Sequence, residues 1–305
     1  MASVTANGIK IEYEDHGNPD DPAILLIMGL AAQLVLWPPK LIETLVGAGF
    51  RVVAFDNRDI GLSHKFHGKR TLHPLVQMMG RYVGLHRVAP YDLHHMAQDT
   101  VGLLDALDIR QAHLIGASMG GMIGQIAAAR SPERVKSLTA IMSNTGNPNL
   151  PRARPEILRK IMLRPAAAKD RDAIIDQTVE VWKLIGTPGD ESSLRATRER
   201  LTHAFDRSYY PQGPRRQVAA IMATGDFRSH SRRIKSPTLV VHGSIDPLAP
   251  KEGGEDIARM VPGARLEIIE GMAHDLPEKF LPEISDHILS HIRAVERGDI
   301  DAAAQ

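Results

Sequence analysis

The chain has 305 residues, enough for one large domain or one domain carrying an insertion, with a substantial buried core. Its 37 basic and 36 acidic side chains leave a formal charge of +1, which gives no electrostatic basis for binding nucleic acid or an anionic membrane surface. Cysteine is absent, which excludes disulfides, thiol catalysis and cysteine-ligated metal sites. No stretch reaches the roughly 18 consecutive apolar residues of a membrane span, and residues 1–11 lack a basic-then-apolar signal pattern. The expectation is a cytoplasmic protein with no membrane partner.

Asn7-Gly8 separates two short β-prone runs and reads as a hairpin turn. Strands and helices then alternate: a strand at 24–28, a helix at 39–46, a strand at 51–55, a helix at 93–107, a strand at 113–115, a helix at 119–130 and a strand at 135–142. That alternation implies a mostly parallel sheet flanked by helices, an α/β fold. It resumes near Thr238 with a strand, a helix at 254–260, a strand at 265–269 and a last helix at 278–294, before a frayed tail from Gly298.

Two segments interrupt the pattern. The smaller, 64–90, is rich in histidine and basic residues, but its spacings fit no zinc site and it reads as a solvated excursion around a helix carrying Leu75, Val76, Met78, Met79, Tyr82, Val83 and Leu85. The larger, 146–233, opens on Gly146-Asn147-Pro148-Asn149-Leu150-Pro151 and is helical in character at 155–163, 171–185 and 191–205. The expected organisation is a core in two parts, 1–145 and 234–305, with 146–233 inserted between them. An insertion after that strand lies at the carboxyl end of the sheet, where α/β proteins bind ligands. Trp182, Phe205, Tyr209 and Tyr210 are candidates for its apolar underside.

The strongest motif is Gly116-Ala117-Ser118-Met119-Gly120, a G-x-S-x-G between the 113–115 strand and the 119–130 helix. A serine on such a corner is thrust out above the sheet edge, and small residues are needed where the backbone doubles back. A serine nucleophile needs a base, and the base needs an orienting acid. Asp246 follows the strand ending at Gly243, on a loop stiffened by Pro247 and Pro250. His274 sits in the loop after the 265–269 strand. The order Ser…Asp…His is the hydrolase order, and Asp275, which merely adjoins the histidine, is set aside as the acid.

These features together resemble the α/β-hydrolase superfamily over nearly the whole chain. Residues 23–30, Ala-Ile-Leu-Leu-Ile-Met-Gly-Leu, look like the family's first core strand and oxyanion loop, with Met28-Gly29 where members usually carry His-Gly. Residues 55–63 look like its D-x-R-G-x-G-x-S segment, with Asp59 in place of the first Gly; Asp56 and Arg58 read as a buried structural pair. The Met-Gly loop followed by Trp37-Pro38 looks most like bacterial esterases related to aclacinomycin methylesterase.

The resemblance implies a helical cap at 146–233, backbone N–H groups of Leu30 and Met119 as the oxyanion hole, and Ser118, His274 and Asp246 as nucleophile, base and acid. No cofactor and no metal are implied. The partner is a small-molecule ester, in a pocket expected to include Met28, Gly29, Met142 and Trp182, with Leu30 and Met119 facing the same cavity. A carboxylesterase acting on small to medium acyl groups is the leading reading. Lactonase, aminopeptidase, carbon–carbon bond hydrolase, perhydrolase and acyltransferase chemistry use the same triad. An aminopeptidase would need insertion carboxylates such as Glu180, Asp190 or Glu191 for the substrate amine. A non-enzymatic ligand receptor on this fold is the reading from a different class.

Overall fold

A computed structural model of the chain describes residues 1–72, 76–77, 88–162 and 170–300. Most of the helix expected within 64–90, and the tail 301–305, lie outside the described residues. The described strands form one eight-stranded sheet, in the order β1-β2-β4-β3-β5-β6-β7-β8. Strands β1 (Ala2–Ala6) and β2 (Ile9–His16) make the expected hairpin, with Asn7 and Gly8 both at positive φ (49° and 76°) in the turn. β2 pairs antiparallel with β4 (Arg51–Phe55). From there the ladder is parallel through β3 (Ala23–Ile27), β5 (Ala112–Ala117), β6 (Val135–Ile141), β7 (Thr238–Gly243) and β8 (Arg265–Ile269).

The central strands are apolar on both faces, as a sheet covered by helices on both sides requires. Leu25, Ile27, Val53, Phe55, Leu114 and Val240 join one apolar cluster, which includes Leu93 and Leu103 of α2 (Leu93–Ala106), Ile123 of α3 (Met119–Arg130) and Ile257 of α9 (Glu252–Met260). Their neighbours Ile24, Leu26, Val52, Ala54, Ile115 and Val241 join a second cluster. It holds Leu41 and Leu45 of α1 (Pro39–Gly47) and Ile284, Ile288 and Ile292 of α10 (Leu281–Glu296). This period-two division assigns each strand residue to one layer or the other.

Between β6 and β7 the described residues carry helices only: α4 (Pro155–Met162), α5 (Arg171–Ile185), α6 (Glu191–Arg207), α7 (Gln212–Thr224) and α8 (Arg228–Ser231). Asp170 and Asp190 cap α5 and α6, accepting hydrogen bonds from the Ala173 and Ser193 N–H groups at 3.3 and 2.9 Å. α7 lies beyond the helical stretches expected at 155–163, 171–185 and 191–205. In the structure Pro214 lies in the first turn, where a missing N–H costs nothing. Gly213 lets the helix start approach the core: a Cβ there would lie 2.0 Å from the Asp59 carbonyl oxygen.

The tightest constraint in the fold is at the β5–α3 corner. A Cβ on Gly120 would lie 1.9 Å from the Ile27 carbonyl oxygen, and one on Gly116 would lie 2.3 Å from the Gly120 carbonyl oxygen. These neighbours are backbone and cannot move aside. Gly120→Ala is therefore expected to lower unfolding free energy by about 3 kcal/mol, the upper part of the usual overpacking range. Gly47→Ala, at the exposed end of α1 with nothing within 4 Å, is expected to gain about 0.5 kcal/mol. Urea denaturation of both variants checks the contrast; equal midpoints would show that the corner has slack.

Candidate active site

Ser118 sits on the corner itself with φ 54° and ψ −117°, outside the regions that side-chain-bearing residues favour. Holding a non-glycine residue there costs on the order of 1–3 kcal/mol and persists only where the surroundings over-determine it. They do so here. The Ser118 N–H donates to the Ile141 carbonyl (2.8 Å), and the Ser118 carbonyl accepts from Gly121 N–H (2.9 Å) and from the Ser143 hydroxyl (2.8 Å). The side chain remains partly exposed.

The three residues expected to act together are in contact. The Ser118 hydroxyl lies 3.1 Å from His274 Nε2, and His274 Nδ1 lies 2.6 Å from Asp246 Oδ2. The other Asp246 oxygen accepts the Leu248 and Ala249 N–H groups at 2.9 and 2.8 Å. Burial pushes the Asp246 carboxyl up, but the His274 charge, the nearby His242 ring and hydrogen bonds from His274 and Ala249 outweigh it and hold the group well below the usual carboxylate range. It therefore stays ionised to strongly acid pH. His242, fully buried on β7, was not singled out in the sequence. Its Nε2 lies 2.7 Å from the Ala249 carbonyl and 3.6 Å from Asp246 Oδ2, so it braces the loop that carries Asp246. Asp275 is bonded to Thr187, which gives its N–H to Oδ2 (3.0 Å) and its hydroxyl to Oδ1 (2.6 Å).

The β3 loop closes on the serine. A Cβ on Gly29 would lie 3.2 Å from both Ser118 Cβ and the Ala117 carbonyl oxygen, so a larger residue there would press on the corner. Among the described residues, neither the Leu30 nor the Met119 N–H has an intramolecular acceptor. The next N–H in the loop, that of Ala31, is taken by Gln217 Oε1 of α7 at 2.9 Å, while Gln217 Nε2 donates to the Arg58 carbonyl at 3.0 Å. Asn57 Nδ2 holds the Met28 carbonyl at 2.9 Å. Gln217 lies some 190 residues from the loop it braces (|i−j| 186 to Ala31), and no local signal marks it.

Asp56 and Arg58 are both buried, but not as a pair with each other. Asp56 binds Arg207 of α6 at 2.6 Å, together with the Leu34 and Leu62 N–H groups, both at 2.8 Å. Arg58 makes a two-pronged contact with Asp99 of α2 at 2.6 and 2.7 Å. The expected pair does not form because each side chain has a partner of its own on a different helix, Arg207 for Asp56 and Asp99 for Arg58. Asp59, standing where the family motif has glycine, takes φ 69° and so keeps the motif's backbone shape. Its carboxylate binds Arg216 of α7 through two contacts of 2.8 Å and accepts the Tyr91 hydroxyl at 2.6 Å.

The apolar side of the site comes from both the core and the inserted helices. Met28 and Met142 are buried in one cluster with Ile175 and Val179 of α5 and Leu201 and Ala204 of α6, and Trp182 and Phe205 pack against it. The side chains of Leu30 and Met119, expected to face the same cavity, pack instead in the cluster on the opposite face. Tyr209 is exposed and stacks on Phe205, and Tyr210 turns to Arg216 and His67. Of the carboxylates considered for an amine, Asp190 is spent as the α6 cap, and Glu180 and Glu191 are exposed.

A parallel sheet between helical layers, with a serine on a strand–helix corner at its carboxyl edge, defines the α/β-hydrolase class. The alpha/beta hydrolase fold family matches residues 22–279, and the chain belongs to it. It is 30% identical over 319 residues to rhodomycin D methylesterase DauP of Streptomyces sp. (strain C5), covering 95% of this chain and 97% of that protein. It is 27% identical over 276 residues to 3-oxoadipate enol-lactonase 2 of Acinetobacter baylyi, covering 88% of each. Among solved structures, a hydrolase from Pseudomonas aeruginosa PA01 superposes with a TM-score of 0.73 at 24% identity, over 95% of this chain and 97% of that one. The protein is thus an enzyme of the α/β-hydrolase superfamily. No helix among the described residues is long and apolar enough to cross a membrane.

The two neighbouring aspartates differ sharply in what they touch, and substitution should separate them. Asp246→Asn keeps the shape but favours the wrong imidazole tautomer, and is expected to lower kcat by about 10⁴-fold. Asp275→Asn leaves the ring contact intact and is expected to cost about 10-fold. Steady-state kinetics on both variants tests the order; a larger loss for Asp275→Asn reverses it.

Proposed function

We propose that the protein is a serine hydrolase of carboxylic esters, with Ser118 as nucleophile, His274 as general base and acid, and Asp246 as the orienting carboxylate. The observation that carries this reading is the chain Ser118 Oγ, His274 Nε2, His274 Nδ1, Asp246 Oδ2, with contacts of 3.1 and 2.6 Å on a strained corner beside two free N–H groups. His274 Nε2 takes the Ser118 proton as Oγ bonds the carbonyl carbon. The oxyanion is held by the Leu30 and Met119 N–H groups, and the N-terminus of α3 adds its dipole. Collapse of this intermediate breaks the acyl carbon–oxygen bond, and the proton passes from His274 to the departing alcohol. Water then enters as nucleophile, gives a proton to His274, and releases the acid and free Ser118. No cofactor takes part.

Similarity to a methylesterase and an enol-lactonase supports acyl transfer from a carbonyl that carries a heteroatom. Residues 146–233 act in this reading as a cap, and Met28, Gly29, Met142 and Trp182 line the acyl side of the pocket. The cluster that joins Met28 and Met142 to helices α5 and α6 supports this.

Ser118→Ala is expected to reduce p-nitrophenyl butyrate hydrolysis by about 10⁶-fold in kcat while the protein stays folded. Retention of most of the wild-type rate by a folded Ser118→Ala chain would sink the assignment. Acyl length gives a second test. Each methylene buried against the apolar wall adds roughly 0.8 kcal/mol until the space is filled. The specificity constant should therefore rise from acetate and fall again for long chains. Faster hydrolysis of an emulsified long-chain triglyceride than of a soluble butyrate or hexanoate ester would show the pocket to be open-ended.

A further inference from the structure

Three consecutive residues of the histidine loop are bonded to two residues at the carboxyl end of α5, its last residue Ile185 and, just beyond it, Thr187. The Ala273 N–H donates to Thr187 Oγ1 at 3.0 Å, and the His274 N–H donates to the Ile185 carbonyl at 2.9 Å. Asp275 accepts the Thr187 hydroxyl at 2.6 Å and the Thr187 N–H at 3.0 Å. The Thr187 hydroxyl is used twice, as donor to Asp275 and as acceptor from Ala273, and the residue is only 8% exposed. Between them Gly186 leaves no room for slack: a Cβ there would lie 3.0 Å from Asp275 Oδ2 and 2.8 Å from the Trp182 carbonyl oxygen.

These contacts do not duplicate what Asp246 does. Asp246 holds the imidazole ring through Nδ1, which fixes its tautomer and rotation. The Thr187 and Ile185 contacts hold the backbone on either side of the ring, which fixes where the ring stands above Ser118. The same helix, α5, carries Trp182, whose side chain packs against the cluster of Met28 and Met142. One rigid element therefore bears both an apolar wall and the anchor of the histidine.

We propose that Thr187 and Asp275 are positioning residues, a clamp by which the inserted helices set the place of His274 over Ser118. The inference rests on the reading of His274 as the general base. Its physical basis is the sensitivity of proton transfer to geometry: displacing a catalytic group by 1 Å costs on the order of 10²-fold in rate. Thr187→Val removes the hydroxyl while keeping the branched shape. It leaves Asp275 Oδ1 without its donor and Ala273 N–H without its acceptor. Asp275→Asn sets an amide N–H against one of the two Thr187 donors. Thr187→Ser keeps both roles of the hydroxyl.

The test uses the full-length chain and p-nitrophenyl butyrate, with kcat and KM measured separately, fluorophosphonate labelling of Ser118 as an independent report on its activation, and near-ultraviolet circular dichroism to confirm native packing. Thr187→Val is expected to lose about 10- to 100-fold in kcat and a similar factor in labelling rate, with KM within about threefold of wild type. Thr187→Ser is expected to stay within about threefold of wild type in every constant. Adding Thr187→Val to Asp275→Asn should cost little more than the worse single change, since both break one unit. Should Thr187→Val fail to fold, Asp275→Asn carries the same test with an expected loss of about 10-fold in kcat. Wild-type kcat in a folded Thr187→Val or Asp275→Asn chain overturns the clamp, as does a rise in KM at unchanged kcat. His274→Ala separates the two levels: if it retains activity, the base assignment fails, whereas an inactive His274→Ala beside a fully active Thr187→Val defeats the clamp alone.

Discussion

The structure depends on one strained peptide unit, the turn at Ser118. A side-chain-bearing residue at φ 54° and ψ −117° is unstable by itself, so its neighbours must hold it. The glycines at 116 and 120 let β5 and α3 approach to distances that any Cβ would forbid, and the Ile27 carbonyl lies directly against Gly120. Because β3 ends at Ile27, that contact also fixes where the next residues, Met28 to Leu30, leave the sheet. The serine and the loop with the free N–H groups are therefore set by one packing event, not by two independent ones. Strain at the corner and the approach of the β3 loop to the serine share a cause.

The second constraint is electrostatic and ties the inserted helices to the core. Asp56 meets Arg207, Asp59 meets Arg216, and both carboxylates are fully buried. Burial pushes the Asp56 carboxyl up, and Arg207 with the Leu34 and Leu62 N–H groups opposes that rise. Such pairs add little net stability over apolar packing, because each charge has lost its water. Losing one partner is a different matter, since the survivor is left buried and uncompensated, at a cost of about 3–5 kcal/mol. The pairs therefore penalise any arrangement in which α6 and α7 part from the loop at 56–63. They act on register more than on depth of the free-energy well.

What was legible in the sequence was what short-range pattern encodes. Apolar runs of strand length, glycines at the corner and the order of Ser118, Asp246 and His274 are all local or ordinal signals. They were enough for the alternating fold, and they named the three residues that the fold brings into contact. The hidden features are contacts between distant residues. Arg207 reaches Asp56 across 151 positions and Gln217 reaches Ala31 across 186, and nothing near either residue in the chain announces the partner. The expected Asp56–Arg58 pair shows the same limit from the other side: proximity in sequence suggested a contact, and each side chain takes a partner on a different helix instead. Asp59 is instructive too, because a departure from a glycine motif is absorbed by aspartate's tolerance of positive φ and turned into a buried partner for Arg216.

The three levels of constraint converge on the inserted helices. α7 holds the loop after β3 through Gln217, α6 holds the loop at 56–63 through Arg207, and the end of α5 holds the histidine loop through Thr187 and Ile185. A cover that merely shut out water would need apolar contact with the core and little else. Directional hydrogen bonds to three separate core loops cost conformational freedom in every residue that makes them. Their arrangement is explained if those loops lack the means to hold their own positions. The β3 loop passes through Ala31 at φ 63°, a left-handed conformation that costs a side-chain-bearing residue and needs external support. On this view the core supplies the serine and its strained corner, while the inserted helices complete the geometry around it. Changes in α5 to α7 should then alter turnover as directly as changes in the sheet.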